Sequence, residues 1–268
     1  MRLTIYHVDA FADAVFKGNP AVVCPLERWL DEKTMLNIAA ENSVSETAFF
    51  VKEGDDYHIR WFSPKREVEL CGHATLASAF VLFNYLDTDA EVITFHYGYG
   101  DSSGTLLVTK AEGGALTLVM DAKMPVPDSE YLTLFNATIG EEPIQVLKGL
   151  DYILIYENEE IIRRIKPRFD ALKSIDLRGI CITARGDEKD FVYRFFAPKL
   201  GINEDFITGS ACKSLTPFWA KILQKSELHT SQLSPRGSDI TCTLSEDESK
   251  VAITGKAVLY MKGEIYLP

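Results

Sequence analysis

A short motif occurs twice in this chain of 268 residues. Residues 60–65 read RWFSPK and residues 194–199 read RFFAPK, so the copies lie 134 residues apart, which is half the chain length. In each half a glycine soon follows the motif and opens an apolar stretch. A repeat at this spacing predicts two similar lobes. We expect a cleft between them, because small-molecule sites are preferentially located at domain interfaces.

The pattern of apolar residues predicts the class of each lobe. Many short alternating segments are typical of half-buried strands, and residues 72–86 and 209–223 are apolar enough for one buried helix in each half. We therefore predict an α+β fold of two pseudo-symmetric lobes, each a curled, mostly antiparallel sheet or barrel around a central helix. We place the first lobe at residues 1–113, with a final strand at 258–268 as a candidate to complete it, and the second lobe at 114–257.

Charge and cysteine content restrict the class of partner. The formal net charge of −11 and a pI near 5 oppose binding to nucleic acids or anionic membranes, which depends on lysine and arginine clusters. Five widely spaced cysteines without a C-x-x-C pair argue against a disulfide framework or a structural zinc site. There is no leader-like apolar segment and no apolar run of membrane-spanning length. We expect a cytoplasmic protein that binds a small molecule.

Glu46 is the strongest candidate for chemistry. It begins an apolar segment rich in aromatic residues, and a carboxylate in such surroundings suits general acid–base catalysis. The alternative is an edge-strand glutamate that faces water. A shift of 134 residues places Ile180 opposite Glu46, so the repeated fold does not require an acid at this position.

Two predicted helix starts offer sites for an anion. Residues 72–75 (GHAT) and 208–211 (TGSA) combine glycine with small polar residues, and the first N–H groups of a helix attract negative charge. For either segment taken alone, ordinary helix capping is the simpler explanation. His73 can be structural, Asp205 can form a turn, and Asn19 can be a loop residue.

The combination of motifs resembles one known family, the phenazine-biosynthesis (PhzF-like) isomerases. The motifs are, in chain order, residues 9–11 (DAF), 18–21 (GNPA), 45–49 (SETAF), 71–77 (CGHATLA), 204–205 (ED), 208–211 (TGSA) and 234–237 (SPRG). The resemblance extends over nearly the whole chain and implies a diaminopimelate epimerase-like fold with the site between two lobes. It also implies a homodimer that needs neither a metal nor a nucleotide.

The resemblance also implies roles for individual residues. Glu46 matches the proton-shuttling carboxylate, which would move a proton between two carbons of a cyclic unsaturated acid in a 1,3-hydrogen shift. His73 and Asp205 match residues that contact the substrate and assist proton movement. The candidate substrate-binding residues are Asn19, Ser45, Gly72, Thr208, Gly209 and Ser210.

The chain departs from the family pattern beside the second helix start. Many members have proline where this chain has Phe206 and histidine where it has Cys212, which is followed here by Lys213. These differences concern the substrate more than the fold.

Two other functions stay open at this point. One is an amino-acid epimerase or racemase that uses cysteine thiols, with Cys71 as one of them; the geometry expected for a second thiol at Cys212 is poor. The other is a metabolite-binding protein without turnover.

Overall fold

A computed structural model describes residues 1–99, 102–173 and 178–268. The elements are, in chain order, β1 Arg2–Ala10, β2 Asn19–Leu26, α1 Glu32–Asn42, β3 Glu46–Glu53, β4 Asp56–Phe62, β5 Glu67–Val68, α2 Gly72–Val81, β6 Val92–Tyr99, β7 Ser102–Lys110, β8 Leu116–Asp121, β9 Val126–Pro127, α3 Leu132–Ile139, β10 Gln145–Lys148, β11 Tyr152–Ile155, α4 Glu159–Arg164, α5 Phe169–Leu172, β12 Ile180–Arg185, β13 Phe191–Ala197, β14 Ile202–Asp205, α6 Cys212–Leu223, β15 Glu227–Gln232, β16 Ser238–Leu244, β17 Lys250–Gly255 and β18 Ala257–Tyr266. They form two compact units, the first of Met1–Val119 with Thr254–Pro268 and the second of Met120–Ile253.

The first unit is a mixed sheet around one helix. Strand β1 pairs antiparallel with both β18 and β2, and β2 pairs parallel with β3. Strand β3 then pairs antiparallel with β4, which pairs antiparallel with β5 and parallel with β6. Helix α2 packs on β1, β2, β3 and β18, and nine of its ten residues are buried. A helix that is apolar on all sides needs this enclosure, so the sheet curls around it.

The second unit repeats the plan of the first. Strands β10, β11, β12 and β13 pair in the same order and with the same strand directions as β1, β2, β3 and β4. Strand β13 pairs antiparallel with β14 and parallel with β15, as β4 does with β5 and β6. Helix α6 takes the place of α2 and packs on β15 and β16. The predicted α+β class and the pseudo-symmetric plan are confirmed.

The repeated motif builds the same corner in both units. The Arg60 Nε on β4 donates to Glu67 Oε1 at 2.7 Å, and the Arg194 Nε on β13 donates to Glu204 Oε1 at 2.7 Å. Each guanidinium also lies over the ring of the phenylalanine two residues later, at 5.2 Å in the first unit and 5.1 Å in the second. The arginine in the motif therefore fastens the last strand before each central helix to its neighbour.

Pro217 lies inside α6. Pro217 has no N–H, so the carbonyl of Lys213 four residues earlier loses its helical partner. That carbonyl instead accepts a hydrogen bond from the Lys123 N–H at 2.8 Å. Further along α6, Trp219 stacks on Phe191 of β13, with ring centroids 5.8 Å apart. The helix is thus held to the segment after β8 and to the sheet.

Candidate active site

Glu46 is the first residue of β3, and its side chain is buried. It pairs with Ala21 of β2, and β3 also has β4 on its other side, so Glu46 does not lie on an edge strand. Only 8% of the residue is exposed. This position excludes the water-facing alternative. The equivalent strand β12 begins at Ile180, which is buried and apolar, so the two units differ at this position.

His73 contacts Glu46 from the start of α2. Its Nε2 lies 3.2 Å from Glu46 Oε2, and both residues are buried. His73 is the second residue of α2, because Cys71 in an extended conformation ends the preceding segment and the helix starts at Gly72. The parallel pairing of β2 and β3 and the packing of α2 on both strands bring the carboxylate and the imidazole together.

Asn19 and Ser45 extend this contact into a chain of hydrogen bonds. Asn19 begins β2 and is fully buried, and its Nδ2 lies 3.3 Å from His73 Nδ1. The Ser45 hydroxyl donates to Asn19 Oδ1 at 3.2 Å. In the neutral imidazole, the Asn19 amide donates to Nδ1 and the proton lies on Nε2, where it points at Glu46; the protonated ring keeps that Nε2 proton. Glu46 therefore accepts from His73, as a carboxylate base should.

Cys71 is the third group beside this histidine. Its Sγ lies 3.5 Å from His73 Nδ1 and 3.9 Å from Nε2. Burial raises the pKa of the Cys71 thiol, although His73 opposes the shift. Burial also lowers the pKa of His73, but Cys71 and Glu46 outweigh it and hold that pKa well above its usual range. The raised pKa of His73 favours the protonated imidazole, which keeps a proton on Nε2 toward Glu46.

The same three side chains could hold a metal ion. One ligand atom from each of Glu46, Cys71 and His73 lies within 4.8 Å of the others, and no second group of this kind occurs in the described ranges. Oxygen, nitrogen and sulfur donors of this kind suit zinc. The spacing of these three residues along the chain matches no metal-binding motif, because they come together only when α2 packs on β3. The absence of a metal requirement stays a prediction.

The second unit places its candidates around the turn before α6. Asp205 ends β14, and its Oδ2 accepts a hydrogen bond from the Thr208 hydroxyl at 2.5 Å. Gly209 and Ser210 form a tight turn that leads into α6, and both are buried. The structure brings Asp205, Thr208, Gly209 and Ser210 together in one segment. Asp205 thus has the turn-forming role that the sequence left open, and this role is compatible with a contact to the substrate.

Two residues at this turn were not predicted. Gln232 at the end of β15 is buried; its Oε1 accepts from the Thr208 N–H at 2.7 Å, and its Nε2 donates to the Asp205 carbonyl at 2.6 Å. The Nη1 and Nη2 atoms of Arg178 each lie 3.4 Å from the Ser210 hydroxyl. Neither residue belongs to a motif or is close to the turn in sequence, so no local signal identifies it.

Comparison with known proteins gives one consistent family. Residues 8–263 match the family described as phenazine biosynthesis-like protein. A Pseudomonas aeruginosa protein named an uncharacterized isomerase is 45% identical over 267 residues, which cover 100% of both chains. A mouse protein named phenazine biosynthesis-like domain-containing protein 1 is 35% identical, and the match covers 99% of each. These relatives support an isomerase-type function.

Solved structures agree with the sequence relatives. A PhzF family protein from Enterococcus faecalis is 47% identical and has a TM-score of 0.93, with 100% of each chain covered. A predicted epimerase from Pseudomonas aeruginosa, 19% identical with a TM-score of 0.77 over 99% of this chain and 100% of the other, shares the fold alone. The diaminopimelate epimerase-like fold is confirmed.

The helices give one further fact. Within residues 1–99, 102–173 and 178–268, no helix is long and apolar enough to cross a membrane.

The family match extends over nearly the full length of the chain, and a solved relative has the same fold. Together with the motifs at both helix starts, these findings show that the chain belongs to the phenazine biosynthesis-like (PhzF) family.

Proposed function

We propose that the protein is a cofactor-independent isomerase of a small cyclic or unsaturated carboxylic acid, in which Glu46 carries a proton from one carbon to another. The observation that carries this proposal is the buried Glu46 carboxylate, which receives a hydrogen bond from His73 at 3.2 Å. Such a shift requires at least one carboxylate that is positioned within reach of the C–H bond of the substrate.

The proton balance of the step is simple. The Glu46 carboxylate takes a proton from the first carbon, and the electrons of that C–H bond pass into the neighbouring double bond and carboxylate of the substrate. The protonated Glu46 then returns the proton to the third carbon of the allylic system, which moves the double bond and regenerates the carboxylate. His73 holds Oε2, so the substrate would approach the other oxygen, Oε1.

The anionic intermediate needs stabilisation, and the helix starts can supply it. The first N–H groups of a helix lack helical acceptors and carry partial positive charge. We assign Gly72 at the start of α2, with Asn19 and Ser45, to substrate binding in the first unit. We assign Thr208, Gly209 and Ser210 to the same task in the second unit, and Asp205 to assisting proton movement.

We also propose a homodimer and a cytoplasmic location. The dimer follows from the family resemblance, and light scattering coupled to size-exclusion chromatography tests it. All five cysteines are free and buried, which suits a reducing compartment.

A thiol-based epimerase is the second candidate, since Cys71 Sγ lies 3.5 Å from a ring nitrogen of His73. Two-base chemistry needs a second reactive thiol. Cys212 is the first residue of α6, but it is fully buried and 3.8 Å from the Tyr193 hydroxyl. Its neighbour Cys242 and its burial raise the pKa of Cys212 well above the usual range. The carboxylate is therefore the better agent.

The test begins with a thermal-shift screen of carboxylic acids, because a ligand that binds the native state raises its melting temperature. The acid that binds is then deuterated at the donor carbon and followed by NMR over a single turnover. A single carboxylate predicts that part of the deuterium appears at the acceptor carbon. A two-base mechanism predicts that the acceptor carbon receives hydrogen only from solvent. Turnover at the native rate in Glu46→Gln would reject Glu46 as the carrier.

A further inference from the structure

Positive charge is concentrated where α6 begins, in a chain whose formal net charge is −11. Arg178 lies beside Ser210 in the turn before the helix, with two guanidinium nitrogens 3.4 Å from the hydroxyl. Lys213 lies in the first turn of α6 and is half-buried. Lys213 therefore follows directly on the candidate substrate-binding residues of this unit, and Arg178 contacts them from a distant part of the chain.

The guanidinium of Arg178 is held in a fixed orientation. Its Nε donates to Asp151 Oδ1 at 2.8 Å, and its Nη2 also pairs with this buried carboxylate. The group lies over the Phe195 ring at 5.6 Å. Asp151 thus occupies one edge of the guanidinium, and the edge formed by Nη1 and Nη2 faces Ser210. An edge with two nitrogen donors matches the two oxygens of a carboxylate.

The charges around the Lys213 ammonium are mostly positive. The charged groups that act most strongly on it are Asp121 and three cations, Arg178, Lys123 and Lys250. Asp121 already pairs with Lys250 at 2.5 Å. In the part of the chain that the structure describes, no carboxylate lies within ion-pair distance of the Lys213 ammonium. Burial, helped by the three cations, lowers the pKa of Lys213.

A buried hydroxyl in the first turn of α6 has unused hydrogen-bonding capacity. Ser214 is 4% exposed, and its Oγ has no hydrogen-bond partner among the described residues. It is the third residue of α6 and directly follows Lys213 in sequence. The loop that contains Asp151 packs on it, and a Cβ at Gly149 would come within 2.5 Å of this Oγ. A native site rarely leaves such a group unsatisfied, which points to a ligand or an ordered water there.

We propose that Arg178, Ser210 and Lys213 bind the second carboxylate of a dicarboxylic acid. The inference rests on the proposed function, in which the helix N–H groups take one carboxylate of the substrate. A monocarboxylate would leave the half-buried Lys213 ammonium without a counterion among the described residues, whereas Arg178 is already neutralised by Asp151. A second carboxylate would accept from the edge of Arg178 that faces Ser210 and from the Lys213 ammonium.

Isothermal titration calorimetry with matched acids tests this assignment. Fumarate and phthalate are each compared with the corresponding monoamide, which has the same shape and one charge less. We expect the native protein to bind at least one dicarboxylate about tenfold more tightly than its monoamide. Lys213→Gln should abolish that preference, and Lys213→Arg should keep it. Lys221→Gln, in the last turn of the same helix and exposed, is the matched control and should leave it unchanged.

Three results would overturn the assignment. The first is that neither dicarboxylate binds, or that each dicarboxylate binds with the same affinity as its monoamide. Another is a preference that survives Lys213→Gln. The third is tight binding of phosphoenolpyruvate with no preference for either dicarboxylate, which would identify a phosphate site instead. The titrations measure binding and need no turnover, so Glu46→Gln should keep the preference for the dicarboxylate. If the proton-transfer proposal fails, that failure appears in the exchange experiments and not in these titrations.

Discussion

Oε2 of Glu46 and Nε2 of His73 lie 3.2 Å apart, although the two residues come from a strand and a helix with two strands between them in sequence. The contact is buried and is continued by Asn19 and Ser45. A carboxylate supported in this way is held in one orientation before any substrate binds. Such preorganisation is what a proton-transfer catalyst requires.

Asn19 should matter for turnover although it is not proposed to transfer a proton. Asn19→Ala removes the partner of His73 Nδ1 and so loosens the imidazole that orients Glu46. We expect kcat/KM to fall about 10- to 100-fold, because a misplacement of about 1 Å has an effect of this size. Steady-state kinetics measures this ratio. Asn84→Ala, at an exposed asparagine, is the control, and an equal effect there would contradict the role of Asn19.

The ion pair of the repeated motif should contribute strongly to stability. Arg60→Leu leaves Glu67 buried without its partner, since the Glu67 side chain is 1% exposed. Loss of one member of a buried pair costs about 3–5 kcal/mol. Urea unfolding should show a loss of this size, with partial recovery in Arg60→Leu/Glu67→Leu. Arg2→Leu breaks an exposed pair with Glu264 and should cost less than about 1 kcal/mol. Equal losses in both single variants would be inconsistent with this account.

Stability should depend on pH through His73. Cys71 and Glu46 outweigh burial and raise the pKa of His73 in the folded protein. A group with a raised folded-state pKa stabilises the protein fully below its unfolded-state pKa, here about 6.5, and loses this effect as the pH rises through the folded-state pKa. The stability lost in His73→Asn should therefore be largest near pH 6 and decrease toward alkaline pH.

Urea unfolding at several pH values measures this difference. In a Glu46→Gln background the pH dependence should become weaker, because one of the groups that raise the pKa is gone. A stability difference that grows with pH would show that the sign of the His73 shift is wrong.

Cys71 should be dispensable for proton transfer. Burial raises the pKa of its thiol, so little thiolate is present to act as a base or a nucleophile. Cys71→Ser should stay within about tenfold of the native rate, whereas loss of a general base costs about 10²- to 10⁴-fold. The measurement is solvent deuterium incorporation into the substrate. A loss as large as that of a general-base variant would favour the epimerase alternative.

Much of the fold follows from the sequence, because the repeat and the apolar helices are local signals. The copies of the motif at Arg60 and Arg194 occupy equivalent strands and make equivalent ion pairs. Shifting the chain by half its length also places Ile180 at the position of Glu46, and both residues begin equivalent strands.

The contacts within the site could not be predicted in the same way. Glu46, Cys71 and His73 meet only because α2 packs on β2 and β3, and their spacing along the chain has no metal-site or catalytic signature. Gln232 bonds to Thr208 from a strand that follows α6. Such contacts between elements distant in sequence depend on the register of the sheet, which a single sequence does not specify.

The most direct test of the account is the rate of solvent deuterium incorporation into the identified acid, compared in the native protein, Glu46→Gln and Glu53→Gln. Glu53 is the exposed last residue of the strand that Glu46 begins, so it is a matched control. We predict that Glu46→Gln lowers the rate about 10²- to 10⁴-fold with the melting temperature largely kept, and that Glu53→Gln leaves it unchanged. A Glu46→Gln protein that exchanges at the native rate would contradict the central role of this carboxylate.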